Sequence, residues 1–350
     1  MNIAVFLPNW IGDLVMATPT LRALRRQFGQ AEIVGIMRPY LSDLLQGTDW
    51  LDEQWFFDPR AGRAEIGHRT LVRRMRQRRF DMAVLLPNSL RVAVLAWLGR
   101  AGERIGFVRD GRGAFLTGKV YLPQANGRPA ETPMVDYYLR LAEVAGCPPE
   151  SRRLELAVVG SDERSADRVW NQLGLRTDGQ VVAFNSSGAF GGSKLWPTEH
   201  FAALARRVAT QLDHDVLVMC GPHECDMARA IVAQADHPRV FSMADQPMDL
   251  GTSKACIRRS RLMVSTDSGP RHIAAAFDRP VITLFGPLLP VWSENPTQRA
   301  VNLILDIDCA GCGKPVCPLG HHRCMRDLKV DAVYAEVEAM LEKEYSLPVM

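Results

Sequence analysis

At 350 residues the chain is too long for one core of ordinary size and suits two domains of similar length. A composition of 47% hydrophobic and 23% charged residues excludes a disordered chain, and a net charge of +3 lacks the excess of a nucleic-acid binder. No apolar run nears the roughly 20 residues that span a bilayer, and Met1-Asn2 leads straight into an apolar segment with no basic leader, so a cytoplasmic location is expected.

The chain alternates short apolar runs with helical stretches. Asn2–Leu7 reads as a buried strand, Asp13–Phe28 as a helix ended by Gly29, and Glu32–Met37 as the next strand. The pattern resumes with a strand at Asp81–Leu86, a helix through Leu98, a strand at Arg104–Phe107 and a helix at Thr132–Ala145 stopped by Gly146. After a crossing segment at Pro148–Leu156 and a helix at Asp162–Leu173, it restarts. Strands are predicted at Val181–Phe184, Val216–Cys220, Val240–Ser242, Leu262–Ser265 and Val281–Phe285, with helices such as His200–Leu212 and Glu224–Ala235 between them. Such alternation predicts an α/β fold of two doubly wound parallel sheets, each covered on both faces. The expected domains are residues 1–160 and 175–330. A terminal helix over 331–350 has the option of packing back on the first domain. Ligands bind outside the carboxyl ends of strands in such sheets, here in a cleft that the two domains face.

Four segments stand at those strand ends. Pro8-Asn9-Trp10-Ile11-Gly12-Asp13 follows the first strand, and Asp13 is either a helix N-cap or a general base that takes a proton from an acceptor hydroxyl. Ser265-Thr266-Asp267-Ser268-Gly269-Pro270-Arg271-His272 runs from strand into helix. The N–H groups of Ser268 and Gly269 suit a diphosphate, Pro270 fits the first helical turn, and His272 is expected to point toward the cleft. Asp267 would repel phosphate, so a helix cap or a sugar-hydroxyl contact is expected of it. Asn185-Ser186-Ser187-Gly188 followed by Lys194-Leu195-Trp196-Pro197 offers small polar donors and a point charge for the departing diphosphate. In Gly221-Pro222-His223-Glu224 the glutamate either accepts from ribose hydroxyls or begins the next helix.

Two clusters stand apart. Cys309, Cys312, Cys317 and Cys324, with His321 and His322 among them, have the option of a structural Zn or Fe site, of reduced thiols holding nothing, or of disulfides. Arg60, Arg63, Arg69, Arg73, Arg74, Arg76, Arg78 and Arg79 make either a solvated helix face or a patch for an anionic surface or phosphorylated acceptor.

The residues together resemble the ADP-heptose:lipopolysaccharide heptosyltransferases, glycosyltransferase family 9, with a likeness nearer to heptosyltransferase II than I. The carrying segments are Pro8–Asp13 before Thr18-Pro19, Leu86-Pro87-Asn88-Ser89, Gly106-Phe107 with Arg109 and Leu116, and Gly188 through Lys194-Leu195-Trp196-Pro197. To these are added Thr266-Asp267-Ser268-Gly269, His272-Ile273-Ala274-Ala275-Ala276, Arg279-Pro280 and Phe285-Gly286-Pro287. The resemblance implies a glycosyltransferase-B fold and inverting, metal-independent transfer of heptose from ADP-heptose to the lipopolysaccharide inner core. It implies Asp13 as catalytic base, Lys194 on the donor diphosphate, and Asp267, Ser268, Gly269 and His272 as the donor motif. It implies that the first domain takes the acceptor, a lipid-linked phosphorylated glycan, and the second the sugar nucleotide, with weak association at the inner-membrane surface. Here the loop before Lys194 departs from the family pattern, with Ser187 in place of a proline and Gly192-Ser193 before the lysine. Other readings are an ADP-sugar transferase acting on a protein or another glycan, a sugar-nucleotide epimerase of the same fold, and a non-catalytic nucleotide-binding protein.

Overall fold

The computed structural model describes all residues except 123, 126, 127, 187, 189 and 346–350. The chain divides into two compact units, one of residues 1–157 with 291–295, the other of 158–290 with 296–350.

The first unit begins with β1 (Asn2–Phe6), α1 (Ile11–Met16), α2 (Thr18–Gln27), β2 (Glu32–Met37) and β3 (Glu53–Phe56). It continues with α3 (His68–Arg78), β4 (Met82–Leu85), α4 (Leu90–Leu98), β5 (Glu103–Phe107) and β6 (Gly118–Val120). A small antiparallel pair, β7 (Gln124–Ala125) and β8 (Arg128–Pro129), precedes α5 (Met134–Val144). The six-stranded sheet is parallel in the order β3-β2-β1-β4-β5-β6. Its inner strands are buried along their length, because helices cover both faces and no face needs polar residues. Phe6, Ile36, Trp55, Met75, Leu85 and Leu95 pack in one cluster on the side of α3 and α4.

The single helix expected over Asp13–Phe28 is two. Pro19 has no N–H to give the carbonyl of Val15, and the Thr18 hydroxyl donates to it instead at 2.8 Å, so the chain turns at Ala17 between α1 and α2. Gly146, with φ of 94°, takes the left-handed conformation just past α5, where a side chain would be strained.

The second unit repeats the plan. It holds α6 (Gly160–Leu173), β9 (Val181–Asn185), α7 (Thr198–Gln211), β10 (Asp215–Met219), α8 (Cys225–Ala235), β11 (Val240–Ser242) and α9 (Leu250–Arg259). Then come β12 (Leu262–Thr266), α10 (Gly269–Ala276), β13 (Val281–Phe285), β14 (Ala300–Ile304), α11 (Arg323–Arg326) and α12 (Val330–Tyr345). Sheet order is β11-β10-β9-β12-β13-β14, again all parallel. Phe184, Phe201, Val264 and Met325 anchor its core, and burying each such side chain contributes on the order of 2–3 kcal/mol.

Two boundaries differ from expectation. The helix at Gly160–Leu173 belongs to the second unit, because the buried ammonium of Lys254 on α9 sits 3.2 Å from the buried Asp162 carboxylate, and Arg259 holds Glu163 at 2.6 Å. The terminal helix α12 does not need the first unit for its core. Val333, Tyr334, Val337 and Leu341 join the second unit's core, and Arg207 of α7 lies over the Tyr334 ring.

Both sheets have the strand order 3-2-1-4-5-6, which reverses direction between the first and fourth strands of each. Open α/β sheets bind ligands outside the carboxyl ends of the strands at that switch point. In the first unit this places the loops after β1 and β4, and in the second those after β9 and β12.

Candidate active site

In the second unit, Asn185 at the end of β9 is paired in register with Ser265 of β12, so the two switch-point loops leave the sheet side by side. The buried Asn185 amide donates to Ser265 Oγ at 3.0 Å and to Ser268 Oγ at 2.7 Å. This ties the first loop to the residue at the N-cap of α10. Pro270 occupies the first turn of that helix, and the Ser268 side chain at its N-cap makes no capping hydrogen bond. Uncapped first-turn N–H groups with the helix dipole behind them are an anion-binding arrangement.

Lys194 arrives on the loop after β9 and is 8% exposed. Its ammonium donates to the Asp267 backbone oxygen at 2.6 Å and to the carboxylate at 2.9 Å, and lies 5.0 Å from the Phe190 ring centroid. The other carboxylate oxygen of Asp267 accepts from Arg271 Nε at 3.1 Å. Asp267 therefore does not cap the helix. It is held between two cations, and the trio carries one more positive charge than negative. That answers the objection to a carboxylate beside a diphosphate, since two neighbouring cations outweigh it.

His272 is buried rather than open to solvent. Burial first, then the charges of Arg271 and Lys194, hold its pKa well below the ordinary histidine value, so the ring is neutral at pH 7. Its Nδ1, one guanidinium nitrogen of Arg271 and the buried hydroxyl of Ser186 have no hydrogen-bond partner among the described residues. Buried polar groups are rarely left unmet. Gly188 is half-buried and packs against the Lys194 stem, whereas Ser187 lies outside the described residues. Glu224 stands at the N-cap of α8, where its carboxylate accepts the Gly221 N–H at 2.9 Å.

The lysine loop is also strapped from the far end of the chain. Ser193 N donates to Pro315 O at 3.2 Å, Ser193 Oγ to Lys314 O at 2.6 Å, and His322 Nε2 meets Ser193 O at 2.6 Å. Trp196 Nε1 donates to Leu328 O at 2.9 Å. Gly191 (φ 147°) runs so close to Pro315 that a Cβ would collide with its carbonyl.

The strap contains the cysteine cluster. Cys309, Cys312, Cys317 and Cys324 line one small cavity with His321 and His322. Backbone N–H groups of residues 319–322 converge on the Cys317 thiol and lower its pKa, the one from His322 most strongly. The placement does not support the expected structural Zn or Fe. Among the described residues no group of three or more His, Cys, Asp or Glu side chains is arranged to hold a metal ion, and all four thiols are free of disulfides.

In the first unit, Asp13 lies in the first turn of α1, two residues inside the helix from its start at Ile11, and not at the cap, which is Trp10. Asp13 is half-buried, and burial first, then the Asp13 charge, raise the pKa of the Tyr138 hydroxyl on α5 well above its ordinary value. The Tyr40 hydroxyl donates to Asn9 O, and Arg38 Nε to Asn9 Oδ1 at 3.2 Å, which fixes the loop before the helix. At the neighbouring strand ends, Arg112 is fully buried. It donates to Phe107 O at 2.7 Å, to Asn88 Oδ1 at 2.9 Å and to Pro87 O, pinning the loop after β4 to the one after β5. Nothing local in the sequence marks Arg112, since two of its three partners lie 24 and 25 positions away along the chain.

Most of the arginine run sits on or beside α3. Arg78 pairs with Glu32 at 2.6 Å and Glu53 at 2.9 Å, and Arg74 stacks on Trp55. Arg69, Arg73 and Arg76 border a groove floored by Val72, Leu95 and Leu98. None of these three forms an ion pair among the described residues.

Comparison with known proteins gives the family and the fold. The family model described as glycosyltransferase family 9 (heptosyltransferase) matches residues 68–322, a span that takes in the Lys194 and Asp267 loops. Lipopolysaccharide heptosyltransferase 2 of Escherichia coli (strain K12) is 26% identical over 353 residues, covering 98% of this chain and 99% of that protein. Among solved structures, a family 9 glycosyl transferase from Veillonella parvula superposes with a TM-score of 0.82 at 21% identity, covering 98% of this chain and 97% of that one. The E. coli ADP-heptose lipopolysaccharide heptosyltransferase II gives 0.78 at 24% identity, covering 99% and 100%. Two parallel six-stranded sheets of this order make the glycosyltransferase-B fold, and the chain belongs to glycosyltransferase family 9.

Proposed function

We propose that this glycosyltransferase moves heptose from ADP-heptose onto the lipopolysaccharide inner core by a single inverting displacement. The acceptor oxygen attacks the anomeric carbon, the bond from that carbon to the diphosphate oxygen breaks, and ADP leaves. Asp13 takes the proton of the attacking hydroxyl. Lys194 and the first-turn amides of α10 meet the charge that builds on the departing diphosphate, Ser186 and Gly188 line its approach, and His272 acts as a neutral hydrogen-bonding group. Glu224 remains a ribose contact in this reading, with its second carboxylate oxygen as the acceptor. No step is routed through a metal.

The observation that carries the reading is the meeting of Lys194, Asp267 and Arg271 at the uncapped start of α10. It is an electropositive, buried pocket edge suited to a diphosphate rather than to a neutral sugar. Thermal shift with ADP, UDP and GDP tests it, with selective stabilisation by ADP expected, roughly 2.7 kcal/mol at a hundredfold excess over Kd. Equal response to all three would remove the adenine preference. Turnover of ADP-heptose only when an inner-core acceptor is present separates transfer from epimerisation.

The acceptor is lipid-linked in this reading, and the arginine-edged groove of α3 and α4 is the surface for the cytoplasmic face of the membrane. No helix among the described residues is long and apolar enough to cross a membrane. Sedimentation with anionic but not neutral vesicles, reversed by salt, is the expected behaviour.

A further inference from the structure

We propose that Arg271 is a positioning residue for the donor site: it takes over the Asp267 carboxylate when Lys194 leaves it for the donor's diphosphate. The inference rests on the reading of Lys194 as the diphosphate contact. Lys194 Nζ holds one carboxylate oxygen of Asp267 at 2.9 Å, and Arg271 Nε holds the other at 3.1 Å. A lysine engaged by a carboxylate has its charge already balanced. Drawing it away would strand an anion whose side chain is only 13% exposed, and a buried charge left without a partner is costly. Arg271 removes that cost. It is 3% exposed, lies four residues beyond Asp267, and its guanidinium sits 5.3 Å from the Phe285 ring centroid.

The guanidinium is set for the hand-over. Nε and Nη2 share one edge of its plane, the edge that meets a carboxylate with two parallel hydrogen bonds. Nε is bonded to Asp267 Oδ1, whereas Nη2 is buried and has no hydrogen-bond partner among the described residues. The oxygen that Nη2 would take, Oδ2, is the one that Lys194 holds. Once the ammonium turns to the diphosphate, a rotation of the carboxylate closes the fork. A buried donor is rarely left unmet, and the hand-over supplies this one with its partner. Charge points the same way. Lys194 and Asp267 alone sum to zero, and Arg271 makes two cations and one anion, a net +1 that faces the incoming anion.

The test is calorimetric affinity for ADP and for adenosine, at constant ionic strength, in the parent, Arg271→Met, Asp267→Asn and the double variant. ADP affinity should follow the charge of the trio: about tenfold weaker for Arg271→Met, about tenfold tighter for Asp267→Asn, and near the parent's for the double variant. Adenosine carries no phosphate and should bind all four alike, whereas a pocket merely disturbed in shape would weaken both ligands. ADP affinity that ignores the charge order, or a parallel loss of adenosine binding in Arg271→Met, overturns the proposal. If Arg271→Met fails to fold, Asp267→Asn and the double variant, which strand no buried anion, carry the same test. Lys194→Ala checks the hand-over itself. Its melting temperature should stay within about 4 °C of the parent's, because Arg271 then takes both carboxylate oxygens, and a much larger fall overturns the proposal. The same variant separates the two readings. If it binds ADP as the parent does, the donor-site reading falls; if it loses ADP affinity while the other variants ignore the charge order, only the role of Arg271 falls.

Discussion

The two units share a strand order and a switch point but equip them oppositely. At the switch point of the second unit, cations and small polar residues lock together in a dry pocket edge, with Lys194 bonded to Asp267 and Asn185 bridging Ser265 and Ser268. At that of the first, a half-buried carboxylate stands among tyrosines, with Trp10 exposed beside it. The lesson is that the parallel sheet supplies a place and not a chemistry. In the proposed reaction one copy of the plan receives negative charge and the other a proton.

Breaking each side of that contrast should give distinct failures. Asp13→Asn should reduce turnover by on the order of 10³-fold or more while ADP binding by thermal shift stays unchanged. A matching loss of ADP affinity would show that the carboxylate serves the donor instead. Arg112→Ala should leave Phe107 O, Pro87 O and Asn88 without their donor in a buried site, costing about 3 kcal/mol in urea unfolding. A variant as stable as the parent would mean that these loops hold themselves. Lys194→Ala should lower kcat/KM about a hundredfold, with both donor KM and kcat affected. Normal kinetics would remove it from the site.

The smallest effect concerns acid. His272 is neutral in the folded protein because its pKa lies well below the unfolded value near 6.5. The unfolded chain therefore binds more protons once pH falls below about 6.5, and stability present above that pH is lost on acidification by up to about 1.4 kcal/mol per unit. His200 and His214, also depressed by burial, act in the same direction. His272→Gln should flatten part of the slope of unfolding free energy between pH 6.5 and 5. An unchanged slope would assign it to the other two histidines.

Much of the plan was legible because central parallel strands are continuous apolar runs. Glu32–Met37 and Val281–Phe285 fall where their composition puts them. The outer strands Glu53–Phe56, Gly118–Val120 and Ala300–Ile304 escaped, since each is short or half-exposed and carries polar residues that read as loop. Asp13, Lys194 and Asp267 could be singled out because each follows a strand within a few residues of a glycine. The pairing of Lys194 with Asp267 was not, because it spans 73 positions. Local pattern names the loops; only tertiary packing says which side chains meet across them. The arginine run was ambiguous for a related reason. Arg74 and Arg78 are engaged by Trp55 and two glutamates, while Arg69 and Arg73 edge the groove, and a helical repeat alone does not sort one kind from the other.

The strap across the lysine loop has a consequence for biosynthesis. Ser193 and Trp196, on either side of Lys194, take their partners from Lys314, Pro315, His322 and Leu328. A ribosome must therefore deliver nearly the entire polypeptide before the lysine loop acquires these partners. A nascent chain halted after β14 would have every strand of both sheets and still leave Ser193 and Trp196 without them.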